Sequence, residues 1–310
     1  MTQQPLVVVG LITCRNPSGL QKSLDYLARQ ETRFAYRIIV VDNDAGLAGQ
    51  AVAERHAASQ GNAPIRYVVE AEAGIPFARN RLAQAFLETD ADILVMYDDD
   101  EYPATSWLDR MVQTSLATGA DIVGGSVEAV LESLPLEPIR ASDYDKKGGK
   151  EIAGGALVES TANLLVTRRV FAAFEGEWFR RAFAQTGGSD TDFLRRTAQR
   201  GFRHALAPDA VVYEDIPASR INVAWWKKRA FRSGGGLVVA RRMNYGMVRA
   251  LSYESASIAY LLAMGSIRYL IARTGSRRKH EAGLMIARGQ GKVAALLGRR
   301  YNEYSQANYR

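Results

Sequence analysis

Four short apolar runs separated by helical stretches occupy roughly the first third of the chain, and this alternation constrains the fold more than any other feature. LVVVGLI at 6–12, RIIVV at 37–41, IRYVV at 65–69 and DILVMY at 92–97 are rich in β-branched residues. Between them, Leu20, Leu24 and Leu27 follow the helix-start signal Asn16-Pro17-Ser18, and helical stretches are expected at about 47–60 and from Pro76 to about Glu88. Apolar strands alternating with helices predict an α/β fold, a Rossmann-like and mostly parallel central sheet flanked by helices. Ligands on such sheets sit at the carboxyl ends of the strands. The segments expected to carry the chemistry are therefore Thr13 to Arg15, Asp42 to Asp44, Glu70 to Gly74 and Asp98 to Glu101.

After about residue 125 the alternation breaks. Residues 131–155, rich in Pro, Gly and charge, read as a long loop suited to a lid. Strand-like 162–167, helix-like 190–199 and strand-like 210–213 follow, and from Arg220 the pattern is helical. Charge divides the chain at the same place. Residues 216–310 hold 18 Lys and Arg against 3 Asp and Glu, whereas residues 1–215 hold 22 against 30. This predicts a catalytic domain over 1–215 and a basic helical region over 216–310. The acidic part suits a metal cation, and the basic part a phosphate-rich surface.

Asp98-Asp99-Asp100-Glu101 directly after an apolar strand is the sharpest local signal. Four adjacent carboxylates repel one another, and a hard divalent cation with oxygen ligands relieves that repulsion. In an extended segment Asp98 and Asp100 point the same way and reach one ion; the plainer alternative is a solvated turn that caps the helix near 105–117. Asp42 ends the second strand, where a carboxylate can accept hydrogen bonds from a ribose or base, or simply form an Asx turn. Arg79 is placed to reach a phosphate or to brace the acidic segment. In Gly187-Gly188-Ser189-Asp190-Thr191-Asp192, Ser189 and Asp192 have capping-box spacing, while Asp190 is a candidate general base.

Other chemistries fall away. The single Cys14 forms no internal disulfide and, without an adjacent base, reads as a small buried residue. No GKS or GKT follows the early glycines, so there is no P-loop, and His56, His204 and His280 are isolated. Met1 to Pro5 lacks a basic n-region, so export is not expected, and the apolar stretch 255–272 is interrupted by Arg268 and small polar residues.

Six segments in register, VVVGLITCRNPSGLQKSLDYL, IIVVDND, GIPFARNRLA, MYDDDEYPATSWLDRM, GGSDTDFLRR and APDAVVYEDIPASRINVAWWKKRAFRSG, together resemble family 2 glycosyltransferases of the GT-A fold. Within that family the resemblance is to the ExoM-like branch, which elongates bacterial exopolysaccharide repeat units. It implies an inverting transfer of a sugar, glucose in that branch, from a UDP-sugar donor to a polyprenyl-diphosphate-linked oligosaccharide. Thr13, Arg15, Asp42, Arg79, Asp98 and Asp99 would line the nucleotide-sugar pocket. Asp98 and Asp100 would hold Mg2+ or Mn2+, and Asp190 would be the catalytic base. Ser189 stands where the family usually has an acid, and Tyr213 where a histidine often follows the later strand; Glu214 or Asp215 would then substitute as a third metal ligand. The resemblance also implies a cytoplasmic protein, peripheral on the anionic inner face of the cell membrane through its basic tail with Trp225, Trp226, Tyr260 and Tyr269, and no nucleic-acid partner. The competing readings are a catalytically silent nucleotide-sugar- or membrane-binding relative and a nucleotidyltransferase.

Overall fold

The computed structural model describes residues 4–59, 63–174, 176–184 and 187–299. They form two compact units, one of Met1–Val130, Asp145–Arg181 and Asp190–Asp215, the other of Leu131–Tyr144, Ala182–Ser189 and Ile216–Arg310. The first contains β1 (Val7–Thr13), α1 (Pro17–Leu27), β2 (Tyr36–Asp42), α2 (Gln50–Ala58), β3 (Ile65–Val69), α3 (Ile75–Leu87), β4 (Ile93–Asp98), β5 (Glu101–Pro103) and α4 (Trp107–Thr118). It continues with β6 (Ile122–Leu131), β7 (Gly149–Ile152), β8 (Gly155–Val158), β9 (Asn163–Thr167), α5 (Arg168–Ala172), α6 (Ser189–Gln199) and β10 (His204–Ile216).

Eight strands form the main sheet in the order β3-β2-β1-β4-β9-β6-β10-β5. β3, β2, β1 and β4 are parallel, as the alternating pattern demands, but β9 runs antiparallel to β4 and β6, and β5 antiparallel to β10. The sheet is thus mixed, parallel over β3, β2, β1 and β4 and antiparallel where β9 and β5 join. Successive side chains of β1 face opposite ways. Val7, Val9 and Leu11 join Leu24, Val40, Trp107 and Met111 in one core. Val8 joins Ile39, Leu82, Phe86, Leu94 and Phe171 in the other. Burial on both faces explains why β1, β2 and β4 read as continuous apolar runs.

α1 starts where its sequence signal sits: Asn16 accepts the Gly19 N–H at 3.0 Å, and Pro17 occupies the first helical turn. Residues 131–155, expected as an open loop, contain the first strand of an antiparallel hairpin, β7 paired with β8. β10 is far longer than the expected 210–213 because its alternating polar positions hide its extent.

The second unit is dominated by α7 (Val223–Ile271), interrupted at Gly246 (φ 79°, ψ 167°), and α8 (Arg277–Leu296). The two helices pack closely: a Cβ on Gly291 would stand 1.9 Å from the Phe231 carbonyl oxygen, and one on Gly234 2.2 Å from that of Arg288. At this contact only glycine fits. Trp225 and Trp226, expected as exposed anchors, are half-buried and stack against Tyr144 at 5.9 and 5.0 Å between ring centres. Tyr269 is likewise half-buried, beneath Lys279, whereas Tyr260 is exposed.

Candidate active site

Strand register brings the expected residues to one edge of the sheet, since Thr13 lies opposite Asp42 and Ile12 opposite Asp98. Asp98 closes β4, Asp99-Asp100 form a turn, and Glu101 opens β5. The segment is a turn and not the extended stretch expected, so Asp98 and Asp100 are related by turn geometry, with no simple same-side rule.

Groups from several elements hold that turn. Thr13 Oγ1 donates to Asp99 Oδ2 at 2.6 Å, and Asn16 Nδ2 reaches the Asp99 carbonyl at 3.4 Å. α1 approaches so closely that a Cβ on Gly19 would lie 2.4 Å from the Asp99 carbonyl oxygen. Ser23 Oγ donates to the Glu101 carbonyl at 2.5 Å, and the Glu101 carboxylate accepts the Asp98 N–H at 3.1 Å. From α3, Arg79 donates to Asp98 Oδ1 at 3.1 Å while itself buried. Of the two roles open to Arg79, the structure shows the brace. A cleft of about 310 Å3 opens beside the turn, lined by Asn16, Lys22, Asp99, Asp100, Tyr102 and Asp215 among others.

Burial and neighbouring carboxylates both act on the acids of this turn. Burial, with the Asp100 and Asp98 charges adding, pushes the Asp99 carboxyl up to about 7 against the Thr13 and Asn16 bonds. Burial, then Asp98, raises Glu101 well above the ordinary carboxylate range. A donor set made of carboxylate oxygens is the chemistry a hard divalent cation suits, and Asp98 and Asp100 fit that role. Among the described residues no three metal-ligating side chains converge, so an ion there would rely on ligands beyond the protein.

Glu214, expected as a third metal ligand, is engaged by a lysine. In register with Glu101 across the β5–β10 pair, it receives Lys146 Nζ at 2.5 Å, and the same ammonium stands 3.8 Å from Glu101. A fixed cation already sits between these two acids. Asp215 pairs with Lys22 and accepts the Tyr102 hydroxyl at 3.2 Å.

Asp42 is fully buried, and its two oxygens accept the Asp44 N–H (3.1 Å), the Gly49 N–H (2.7 Å) and the Tyr67 hydroxyl (2.6 Å). It shapes the loop after β2, as the Asx-turn alternative allowed. Asn43 ties that loop to the one before α3, donating to the Glu70 and Glu72 carbonyls and accepting the Gly74 N–H. Arg15, at φ 54°, pairs with Asp44 at 3.3 Å. Cys14 is half-buried, less enclosed than expected, and donates to the Asn43 carbonyl.

Asp190 stands half-buried in the first turn of α6, its Oδ1 accepting the Thr191 N–H. Two glycines in left-handed conformations precede it, Gly187 (φ 69°) and Gly188 (φ 96°). Asp192, expected as half of a capping box, is buried between Arg180 (3.2 Å) and Arg196 (2.8 Å). Sequence reasoning did not single out Asn43, Tyr67 or Lys146. The first had a signal in its place between Asp42 and Asp44; Lys146, in a charged loop, had none.

A set of parallel strands ending in a braced acidic turn is the setting for the likeness to known proteins. Residues 8–174 match the model of Glycosyl transferase family 2, and the chain belongs to that family. It is 33% identical over 233 residues, 73% of this chain and 72% of the relative, to succinoglycan biosynthesis protein ExoM of Rhizobium meliloti (strain 1021). Among solved structures it resembles mannosyltransferase PcManGT from Pyrobaculum calidifontis, in complex with GDP-Man and Mn2+. That likeness has a TM-score of 0.60 at 18% identity and covers 96% of this chain and 89% of that one. It also resembles S. aureus TarS 1-349 in complex with UDP, with a TM-score of 0.52 at 11% identity, covering 96% and 93%. These neighbours share the GT-A architecture; the protein is a glycosyltransferase.

Proposed function

We propose that this protein transfers a hexose from a UDP-sugar to a hydroxyl of a polyprenyl-diphosphate-linked oligosaccharide during bacterial exopolysaccharide assembly, with inversion at the anomeric carbon. The observation that carries this reading is the acidic turn at the carboxyl edge of the parallel strands, braced by Thr13, Asn16 and Arg79 with Asp98 and Asp100 left partly exposed. The likeness to ExoM supports the pathway, and the UDP and GDP-Man complexes of the neighbours support the donor class.

Asp98 and Asp100 would hold Mg2+ or Mn2+, which would supply positive charge to stabilise the charge developing on the departing nucleoside diphosphate. Thr13 and Asn16 keep Asp99 turned inward and so hold the turn's shape; Arg79 holds Asp98. Asp42, with Tyr67, fixes the loop after β2, from which Asp44 pairs with Arg15 of the β1–α1 loop, and this pair would meet the nucleotide. Asp190 takes the proton from the acceptor hydroxyl as its oxygen bonds to the anomeric carbon, and the electron pair of the breaking bond leaves with UDP. The donor's α-linkage thereby becomes β in the product.

Calorimetric titration of UDP with and without Mn2+, followed by transfer assays on a lipid-linked acceptor, tests the assignment. Asp190→Asn is expected to bind UDP like the wild type and to lose about 100-fold or more in turnover. Turnover at the wild-type rate removes Asp190 from the base role, and binding of UDP that ignores Mn2+ overturns the metal-dependent reading.

A further inference from the structure

One face of α7 plays no part in the transfer chemistry. Between Arg249 and Arg268 the only charged residue is Glu254. It is 0% exposed, its carboxylate receiving Arg241 at 2.5 Å and Lys292 at 2.6 Å. The outward side of these turns consequently carries no charge. Its large side chains are Tyr253 (64% exposed), Tyr260 (54%) and Ile267 (52%), continued by Leu270 (80%) and Ile271 (79%). The other exposed positions from 252 to 266 are serine and alanine. Tyr253, Tyr260 and Ile267 recur at a spacing that keeps them on one side of a helix, over about 21 Å.

A water-facing helix ordinarily places charged residues opposite its buried face. Here cations appear only at the ends, with exposed Arg249 before the stretch and exposed Arg268 and Arg273 after it. Among the described residues no helix is long and apolar enough to cross a membrane.

We propose that this face of α7 lies flat on an anionic lipid bilayer. The two tyrosines sit at headgroup depth, Ile267, Leu270 and Ile271 enter the acyl boundary, and the flanking arginines meet lipid phosphates. Charge favours lipid over a second copy of the chain: antiparallel pairing of this face with itself would set Arg249 against Arg268 of the other copy, with no acid on the face to offset either. The proposal extends the reading of a lipid-linked acceptor, but vesicle binding does not depend on that reading.

The test is co-sedimentation of the full chain with vesicles of phosphatidylglycerol and phosphatidylcholine, set against vesicles of phosphatidylcholine alone. The wild type is expected to pellet with the anionic vesicles. Ile267→Asp combined with Leu270→Asp should weaken that binding about tenfold or more. Arg249→Gln combined with Arg268→Gln should weaken it about 25-fold, at about fivefold per cation. All four positions are exposed, so melting temperature and UDP binding should stay unchanged in both variants. Variants that pellet like the wild type, a wild type indifferent to both vesicle types, or a solution dimer that the variants dissociate would each overturn the proposal. Loss of UDP binding by the wild type would count against the transferase reading alone.

Discussion

Lys146→Met removes an ammonium placed between Glu101 and Glu214. Nζ lies 2.5 Å from Glu214 and 3.8 Å from Glu101, whose side chains are 9% and 1% exposed, while Lys146 itself is 26% exposed. At an effective dielectric of about 20, a pair 3.8 Å apart interacts by about 4 kcal/mol. Removing one partner of a buried pair costs about 3–5 kcal/mol. Partial exposure of the lysine brings the expectation down to about 3 kcal/mol near neutral pH. The loss should depend on pH. Burial holds the Glu101 carboxyl above its unfolded value, and Lys146 is one of the influences lowering it, so the variant's Glu101 retains its proton to still higher pH. A folded state that binds more protons than the unfolded one loses stability as pH rises. The deficit should therefore be larger at about pH 8 than at about pH 5, with the loss of the Glu214 pair remaining at both. Urea unfolding followed by tryptophan fluorescence measures it, with Lys146→Arg as the variant expected to keep most of the stability. A Lys146→Met protein within about 0.5 kcal/mol of wild type at the higher pH, or a deficit that grows on acidification, refutes the argument.

Alanine at Asp100 should abolish the Mn2+ dependence of UDP binding in calorimetry while leaving the fold intact, because its carboxylate is partly exposed; Asp98→Ala should do the same but also lower stability, because it unpairs buried Arg79. Asp192→Ala leaves Arg180 and Arg196 facing a buried gap and should cost about 2–4 kcal/mol in chemical denaturation. Burial lowers His204 to about 4, and the ring is occupied by the Val158 N–H and the Thr197 hydroxyl. Since its folded value lies below its unfolded one, its contribution is present above about pH 6.5 and falls by up to about 3 kcal/mol as pH drops toward about 4. A pH series of urea melts should show that limb, and it should be shallower in His204→Gln.

The parallel half of the sheet was legible because strands buried on both faces must be apolar throughout, and β1 to β4 fall within a residue or so of the expected runs. The antiparallel half was less so. β10 mixes buried and exposed positions over 13 residues, and only its most apolar stretch could be recognised. The β7–β8 hairpin hid among glycines and charges, where strand pairing rests on backbone hydrogen bonds that leave little trace in composition. At the site, the residues ending β1, β2 and β4 were found because topology places them together. Which acid performs which task was not, since that depends on partners far along the chain, such as Lys146 on Glu214 and Arg180 on Asp192.

The fate of those acids gives the charge count its meaning. Residues 1–215 carry an excess of Asp and Glu, yet much of that excess is internal. Asp42 is used up by three donors, Glu101 and Glu214 face Lys146, and Asp192 faces two arginines. Each is buried, where an ionised carboxylate persists only with such partners. Asp98, Asp100 and Asp190 are instead only partly covered. The same logic runs in the opposite sense in α7, where Glu254 is drawn inward onto Arg241 and Lys292, leaving the outer turns neutral between terminal cations. In both units a carboxylate turned inward builds structure and sets the charge its surface shows: at the acidic turn the partly exposed acids remain, and on α7 the outer turns are left without charge.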